Sequence, residues 1–176
     1  MKLKLATAAA FFVSASLGTT FAQDADTPPQ MTIGNGETNA IMMDNLARIE
    51  GETTYSVVRV DGEDVSSLRG SSTQLQFSEV TIANNGWIVL HPVIDGRPDG
   101  DMVSGFTYVG AGTTQDVAIQ VDHPVDAGDK FLVMLHQDVD EDRVFDFVFV
   151  EDGINVEDTA VFEGTRMIAH VFAAPE

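Results

Sequence analysis

The sequence predicts an all-β protein, an antiparallel immunoglobulin-like sandwich that follows an N-terminal signal peptide. From Thr54 onward, short segments rich in Val, Ile, Phe and Thr recur, and Gly, Asp or Asn residues typical of tight turns separate them. No long helical pattern lies between these segments, which argues against a parallel sheet with helical crossovers. A closed β-barrel is the main alternative.

Eight strands are predicted, and Trp87 lies in the most apolar of them. They are Tyr55–Val60, Leu75–Ile82, Trp87–His91, Val103–Val109, Asp116–Val121, Lys130–His136, Val144–Val150 and Arg166–Phe172. Alternation in the seventh strand places Phe145, Phe147 and Phe149 on one face, which we expect to join the core. Before the strands, residues 39–50 are typical of a short helix that Asn39 caps and Gly51 ends.

The first 22 residues predict export. Lys2 and Lys4 precede a short apolar stretch, and Thr20-Phe21-Ala22 has the small residues of a cleavage site. We therefore divide the chain into a signal peptide (1–22), a flexible acidic leader (23–38), an N-terminal extension with the short helix and the first strand (39–74), and the β-sandwich domain (75–176). The expected location is periplasmic or extracellular.

The charge of the chain limits its partners. There are 28 acidic and nine basic residues, for a net charge of −19. Removal of the signal peptide takes away two of the basic residues and leaves Lys130 as the last lysine. Such a field repels nucleic acid and anionic lipid, and no second apolar run reaches the ~20 residues that membrane insertion needs. A protein or a surface remains as the class of partner.

An acidic run predicts a calcium loop. Asp138-Val-Asp-Glu-Asp-Arg-Val-Phe-Asp146 places carboxylates at loop positions 1, 3, 5 and 9. Ca²⁺ takes six to eight oxygen ligands, and Asp138, Asp140, Asp142 and Asp146 offer side-chain oxygens while Val144 offers its carbonyl.

The spacing also identifies the kind of loop. An EF-hand requires Gly at position 6 and Glu at position 12, where this chain has Arg143 and Phe149. The arrangement instead resembles the shorter calcium loops between strands of integrin-type propellers, although these also favour Gly at position 6. A solvated acidic turn without an ion is the alternative, because acidic residues are abundant in this chain.

A histidine pair suggests a second metal site. His91 and His136 each end an apolar predicted strand, and Met134 shares a strand face with His136. If the two strands are neighbours, both imidazoles are expected at the same rim of the sandwich, where imidazole and thioether suit copper, above all Cu(I). Without Cys, a blue-copper centre of the His₂Cys type is excluded. In the alternative, each His caps its strand and bonds a loop.

No catalytic motif is present, so we predict that the protein is not an enzyme. The chain lacks a Gly-x-Ser-x-Gly elbow, a His-Glu-x-x-His motif, a Walker loop and a dinucleotide-binding glycine fingerprint. It has no Cys to act as a nucleophile. His123 and His170 have no partners at ligand spacing and are interpreted as structural or exposed.

Residues 75–174 resemble a known family. The blocks that carry the resemblance are Gly86-Trp-Ile-Val-Leu-His91, Gly110-Ala-Gly-Thr113 and Leu135-His-Gln-Asp138, the last running into Phe145-Asp-Phe147. They are similar to a secreted β-sandwich domain of unknown function in surface proteins of halophilic archaea and in exported bacterial proteins. The resemblance implies an immunoglobulin-like fold and export, and no agreed activity.

Overall fold

The computed structural model describes residues 30–51, 53–60, 63–71, 73–146, 150–151, 154–155 and 157–176. The predicted signal peptide lies outside these residues. The described residues form strands and no helix. The strands are β1 (Thr32–Ile33), β2 (Ala40–Ile41), β3 (Ala47–Ile49), β4 (Thr53–Val60), β5 (Glu63–Ser71), β6 (Gln74–Ile82), β7 (Gly86–Ile94), β8 (Arg97–Pro98), β9 (Gly105–Val109), β10 (Gly112–Gln120), β11 (Lys130–Asp138), β12 (Val150–Glu151), β13 (Ile154–Asn155), β14 (Asp158–Ala160), β15 (Phe162–Glu163), β16 (Arg166–Met167) and β17 (Ala169–Ala173).

Two antiparallel sheets form the sandwich. In the first sheet, β10 pairs with one edge of β6, while β2 and β3 pair with the other edge. In the second, β11 lies between β7 on one side and β14 and β17 on the other, and β9 and β8 extend the far edge of β7. The prediction of an all-β sandwich is confirmed. Separate two-stranded ladders join β4 to β5 and β12 to β13.

The main core fills the space between the two sheets. Side chains of β6 and β10 face those of β7 and β11, and the largest are completely buried. They include Leu75, Phe77, Ile82, Ile88, Leu90, Ile119, Phe131 and Leu135. Each fully buried side chain of this size contributes roughly 1.5–3 kcal/mol to folding, so this layer is the main source of stability in a chain without disulfides.

The helix predicted for residues 39–50 is wrong. The segment forms β2 and β3, and Asn45 adopts a left-handed φ of 60° between them. Ile41 is fully buried in the main core. The free edge of β6 requires backbone partners, and pairing there outweighs the helical spacing of the local sequence.

Two further boundaries differ from the prediction. Residues 144–146 of the predicted strand Val144–Val150 belong to no strand, and residues 147–149 lie outside the described range. The predicted strand Arg166–Phe172 is divided at Ile168 into β16 and β17. Phe145 is half-buried, and Phe147 and Phe149 lie outside the described residues.

The later part of the predicted leader contacts the sandwich. β1 pairs in parallel with β16. The Glu163 carboxylate accepts bonds from the backbone amides of Glu37 (2.6 Å), Thr38 (3.0 Å) and Asn39 (2.8 Å), and from the side chains of Thr38 and Asn39. Gly36 allows this approach, since a Cβ there would overlap the carboxylate. The amide of Glu37 and the side chain of Asn39 are the main causes that lower the pKa of Glu163 to about 2.

We expect Glu163→Gln to destabilise the protein in a pH-dependent way. The folded-state pKa lies below the ordinary 4.5, so ionisation of Glu163 stabilises the fold above about pH 4.5 and the effect is lost as pH falls toward 2. The melting temperatures of wild type and variant should therefore differ most at neutral pH and converge in acid. Glu79→Gln is the control. A difference that is equal at pH 7 and pH 3 would contradict this role for Glu163.

Candidate metal centres

The outer face of the second sheet carries the candidate ligands. On β11, Phe131, Val133 and Leu135 face the main core. Strand alternation therefore sends Met134, His136 and Asp138 to the opposite face. These three side chains are 6%, 3% and 2% exposed. One strand thus delivers a residue of each predicted metal site to a buried layer on the same side of the sheet.

The acidic loop brings carboxylates together where β11 ends. Carboxylate oxygens of Asp138, Asp140 and Asp142 all lie within 4.8 Å of one another. Asp140 also forms a group of the same dimensions with Asp146 and Glu157. All four predicted acidic ligands therefore belong to two groups that share Asp140.

Asp138 is the buried member of the cluster. Its Oδ2 accepts a bond from the amide of Arg143 at 3.2 Å. Its Oδ1 is buried and has no hydrogen-bond partner among the described residues. A buried oxygen without a partner costs about 1–3 kcal/mol, and more when charged. Asp140 and Asp142 are exposed, so they do not bear this cost.

Glu157 is a candidate ligand that sequence reasoning missed. It lies just before β14, and its carbonyl accepts a bond from the amide of Val139 at 2.8 Å. Partial desolvation and the carboxylates of Asp146, Asp140 and Asp142 raise its pKa. Desolvation and neighbouring carboxylates likewise raise the pKa of Asp146. The acidic pair Glu157-Asp158 was the only signal in the sequence. Pairing of β11 with β14 brings Glu157 near the loop, and local spacing does not reveal that pairing.

A second buried carboxylate, that of Asp158, contacts the acidic loop. Asp158 is 1% exposed and lies opposite Asp138 in the ladder. It accepts bonds from Trp87 Nε1 at 2.9 Å and from the amide of Asp146. Burial raises the pKa of Asp158 to about 6, with the charges of Asp138 and Asp146 as further causes, although the two hydrogen bonds oppose the shift. Asp158 therefore anchors both ends of the acidic run.

The loop makes its tight turn without glycine. Glu141 and Arg143 adopt left-handed φ angles of 61° and 62°. Arg143 thus has a left-handed conformation that favours Gly, at a cost of roughly 1–2 kcal/mol. Its guanidinium carbon lies 5.4 Å from the centre of the Tyr108 ring, and such a cation–π contact returns about 0.5–1 kcal/mol.

Val144 has a less defined place in the site. Its side chain is 54% exposed, and its amide donates to Asp142 Oδ1 at 2.7 Å. The bond orders the Asp142 carboxylate toward the loop backbone. Coordination by the Val144 carbonyl stays a prediction.

The rings of His91 and His136 lie close together, although the two residues are not at the same rim of the sandwich as predicted. β7 and β11 are antiparallel neighbours, and their register sets His91 opposite Leu132 and His136 opposite Trp87. The imidazoles lean toward each other along the face, so that their ring centres are 5.9 Å apart with planes inclined by 36°.

Both rings are held by backbone carbonyls. His91 Nδ1 bonds the Met102 carbonyl at 2.7 Å, and His136 Nδ1 bonds the Asp158 carbonyl at 2.7 Å. Burial lowers the pKa of His136 to about 4 and also lowers the pKa of His91. Both imidazoles are consequently neutral at pH 7. Of the unassigned histidines, His123 contacts Asp122 and His170 contacts Asn35.

Aromatic side chains cover this face. Trp87 is buried as predicted, but it lies on the outer face of the second sheet and not between the sheets. Its ring packs at 5.6 Å from Phe106, 5.1 Å from Tyr108 and 5.5 Å from Phe145. Phe145 also lies edge-on to His136 at 5.8 Å, so the acidic loop and the histidine pair share one aromatic lid.

Comparison with known proteins places the chain in a family. Residues 58–170 match the model described as "Domain of unknown function (DUF7282)". The chain belongs to this family. That description names no activity, so the match identifies the domain and not its function.

Two relatives of the chain come from Haloarcula hispanica. It is 28% identical over 127 residues to "Cell surface glycoprotein 1" and 27% identical over 125 residues to "Cell surface glycoprotein 2". These alignments cover 68% and 64% of the chain, but only 14% and 13% of the relatives. The chain thus spans a small part of either glycoprotein. No solved structure matches the chain. The described residues include no helix long and apolar enough to cross a membrane.

The bond between Trp87 and Asp158 is testable by a double-mutant cycle. Trp87→Phe keeps an aromatic ring but removes the donor, and Asp158→Asn removes the charge. Because hydrogen bonds to charged groups contribute about 1.5–3 kcal/mol, we expect a coupling energy of that size from denaturant unfolding followed by circular dichroism. A coupling below about 0.5 kcal/mol would show that Asp158 does not depend on the indole.

Proposed function

We propose that this chain is an exported, non-enzymatic domain of the cell surface whose acidic loop binds Ca²⁺ as a structural clamp. The surface assignment is supported by the relatives, both called cell surface glycoproteins. The predicted signal peptide supports export. The high negative charge favours cations as partners over nucleic acid or anionic lipid, and it favours solubility.

The observation that carries the calcium proposal is the convergence of Asp138, Asp140 and Asp142. Ca²⁺–oxygen distances are 2.3–2.6 Å, so two oxygens on one ion lie up to ~5 Å apart. The oxygens of this group all lie within 4.8 Å of one another. Their spacing therefore suits a single ion with little change in the loop.

Burial supports the proposal of a calcium loop over the alternative of a solvated acidic turn. Water can screen Asp140 and Asp142, which are exposed. It does not reach Asp138 Oδ1, which is buried without a partner among the described residues. Two carboxylates ~4 Å apart repel by about 1 kcal/mol in water and about 4 kcal/mol at an effective dielectric of 20. A bound cation would reduce the repulsion among the carboxylates and would give Asp138 Oδ1 a ligand contact.

The second carboxylate group explains how an ion acts as a clamp. Asp140 links the loop group to Asp146 and to Glu157. Glu157 immediately precedes β14, whereas Asp138 ends β11. An ion coordinated here joins the two ends of the 139–157 connection, which places Phe145 over the outer face of the sheet.

The non-enzymatic assignment is supported by the state of the histidines. His91 and His136 are buried, neutral at pH 7 and bonded to backbone carbonyls. They are poorly placed to exchange protons with a substrate in solution. A domain that serves at the surface without any ion is the competing function, and it differs from ours in its response to calcium.

Calcium is expected to raise the melting temperature of the chelator-treated protein. At a hundredfold excess over Kd, binding adds about 2.7 kcal/mol to the free energy of unfolding, which shifts the midpoint by about 5–10 °C for a chain of this size. Melting is followed by circular dichroism at moderate ionic strength. Mg²⁺ should have a smaller effect, because it requires a smaller octahedral site.

Matched variants assign the effect to the loop. Asp140→Asn/Asp142→Asn should abolish the shift. Asp95→Asn/Asp116→Asn removes the same charge from exposed positions elsewhere and should keep it, since Asn tolerates the left-handed φ of both. No shift of the wild type with millimolar Ca²⁺ would overturn the clamp and favour the ion-independent surface domain.

Arg143→Gly tests the turn geometry. Relief of the left-handed strain and loss of the contact with Tyr108 partly offset, so stability without calcium should change by no more than about 1 kcal/mol. Loss of a nearby positive charge should strengthen calcium binding about 3- to 10-fold in isothermal titration calorimetry. Arg143→Lys keeps the charge and should leave the affinity within about twofold. Weaker binding by the glycine variant would contradict the proposed loop geometry.

A further inference from the structure

The paired histidines form a site that the calcium clamp does not use. Three residues on the outer face of the second sheet form this site: His91, Met134 and His136. Their exposed fractions are 0%, 6% and 3%. We propose that His91 and His136 bind one Cu(I) ion through their Nε2 atoms, with the Met134 thioether as a third ligand. The site is independent of the proposed function in its residues and in its metal.

The first argument is the tautomer of each ring. A backbone carbonyl only accepts hydrogen bonds, so the Nδ1 atoms bonded to the Met102 and Asp158 carbonyls carry the protons. In a neutral imidazole the other nitrogen then bears the lone pair. Both lone pairs are therefore on Nε2, and both Nε2 atoms are buried. A carbonyl that holds Nδ1–H is a common way to orient a metal-binding histidine.

The second argument is the distance between the rings. Nitrogen–metal bonds are ~2 Å long, and an imidazole nitrogen lies about 1 Å from its ring centre, so one ion between two facing Nε2 atoms separates the ring centres by roughly 6 Å or less. The observed separation is 5.9 Å. The backbone register leaves His91 and His136 well apart along the strands, and the inward lean of both rings closes that gap.

The surroundings select a monovalent soft ion. The three proposed ligands are neutral, and among the described residues no histidine shares a three-ligand group with a carboxylate. The cost of burying an ion rises with the square of its charge, so Zn²⁺ or Cu²⁺ is disfavoured relative to Cu(I) between neutral ligands. Thioether is a soft ligand that favours Cu(I), whereas Ca²⁺ requires oxygen.

Met134 lies between the two histidines on this face. It is directly opposite Val89 in the ladder. His91 comes two residues after Val89 in β7, and His136 comes two residues after Met134 in β11. Because the strands are antiparallel, the two histidines lie on opposite sides of this pair. The Met134 side chain packs in a small cluster with Leu132 and Ala169. Met134 is flexible and its sulfur is polarisable, so its place in the ladder suits it as the third ligand in this proposal.

The experiment is a Cu(I) competition titration of the purified protein under reducing, oxygen-free conditions. A chromogenic Cu(I) chelator reports free metal, and we expect the protein to remove one equivalent from it. His91→Asn/His136→Asn should lower the Cu(I) affinity at least ~100-fold, since loss of an outer-shell partner alone costs 10–100-fold. His123→Ala is the control and should bind like wild type. Near-ultraviolet circular dichroism of Trp87 checks that each variant is folded.

Met134→Leu and a silver titration keep the test decisive if a histidine variant unfolds. Leu conserves the volume of Met134, so the fold should persist while Cu(I) affinity falls by about 3- to 10-fold. Ag(I), a soft monovalent substitute that is not readily oxidised, should shift the imidazole NMR signals of His91 and His136 at one equivalent, with those of His123 and His170 unchanged. Absence of Cu(I) binding, unchanged binding in the double histidine variant, or tighter binding of Zn²⁺ would each overturn the proposal. None of these outcomes alters the calcium-dependent melting of the acidic loop.

Discussion

The pairing of β11 on both edges is the constraint on which both candidate centres depend. β7 lies along one edge of this strand, and β14 and β17 share the other. A slip by one residue would expose the core side chains and break three ladders, so the register is strongly specified. With the register set, Met134, His136 and Asp138 must all point to the outer face. The histidine pair and the acidic loop are thus neighbours because they share a strand.

Burial of acidic side chains on that face has an energetic consequence. Asp138 and Asp158 are opposite each other in the ladder, and both are almost completely buried. Two buried carboxylates at directly opposite positions of a ladder repel each other, and both lose hydration. The indole of Trp87 and the amides of Arg143 and Asp146 offset part of that cost. The proposed calcium ion at the loop would offset a further part of that cost.

Strong local patterns were predicted well, and segments that depend on distant partners were not. Strands such as β6, β7 and β11 carry alternating or continuous apolar runs between turn residues, so their sequences are sufficient to recognise them. Residues 39–50 have helical spacing, yet the free edge of β6 recruits them as β2 and β3. The aromatic alternation around Phe145 indicated a strand, but residues 144–146 belong to the acidic loop and form no strand. In both cases tertiary contacts outweighed local preference.

By itself, the sequence determined the all-β class, the acidic field, and the oxygen, imidazole and thioether ligands that the chain can offer. These properties depend on composition and on spacing over a few residues. Only the tertiary structure decided that Asp138 is buried, that Glu157 joins the loop, and that the rings of His91 and His136 lie 5.9 Å apart. Burial and convergence arise from strand pairing across long sequence separations. Local spacing cannot encode that pairing, because its stability comes from side chains buried together by the whole sandwich.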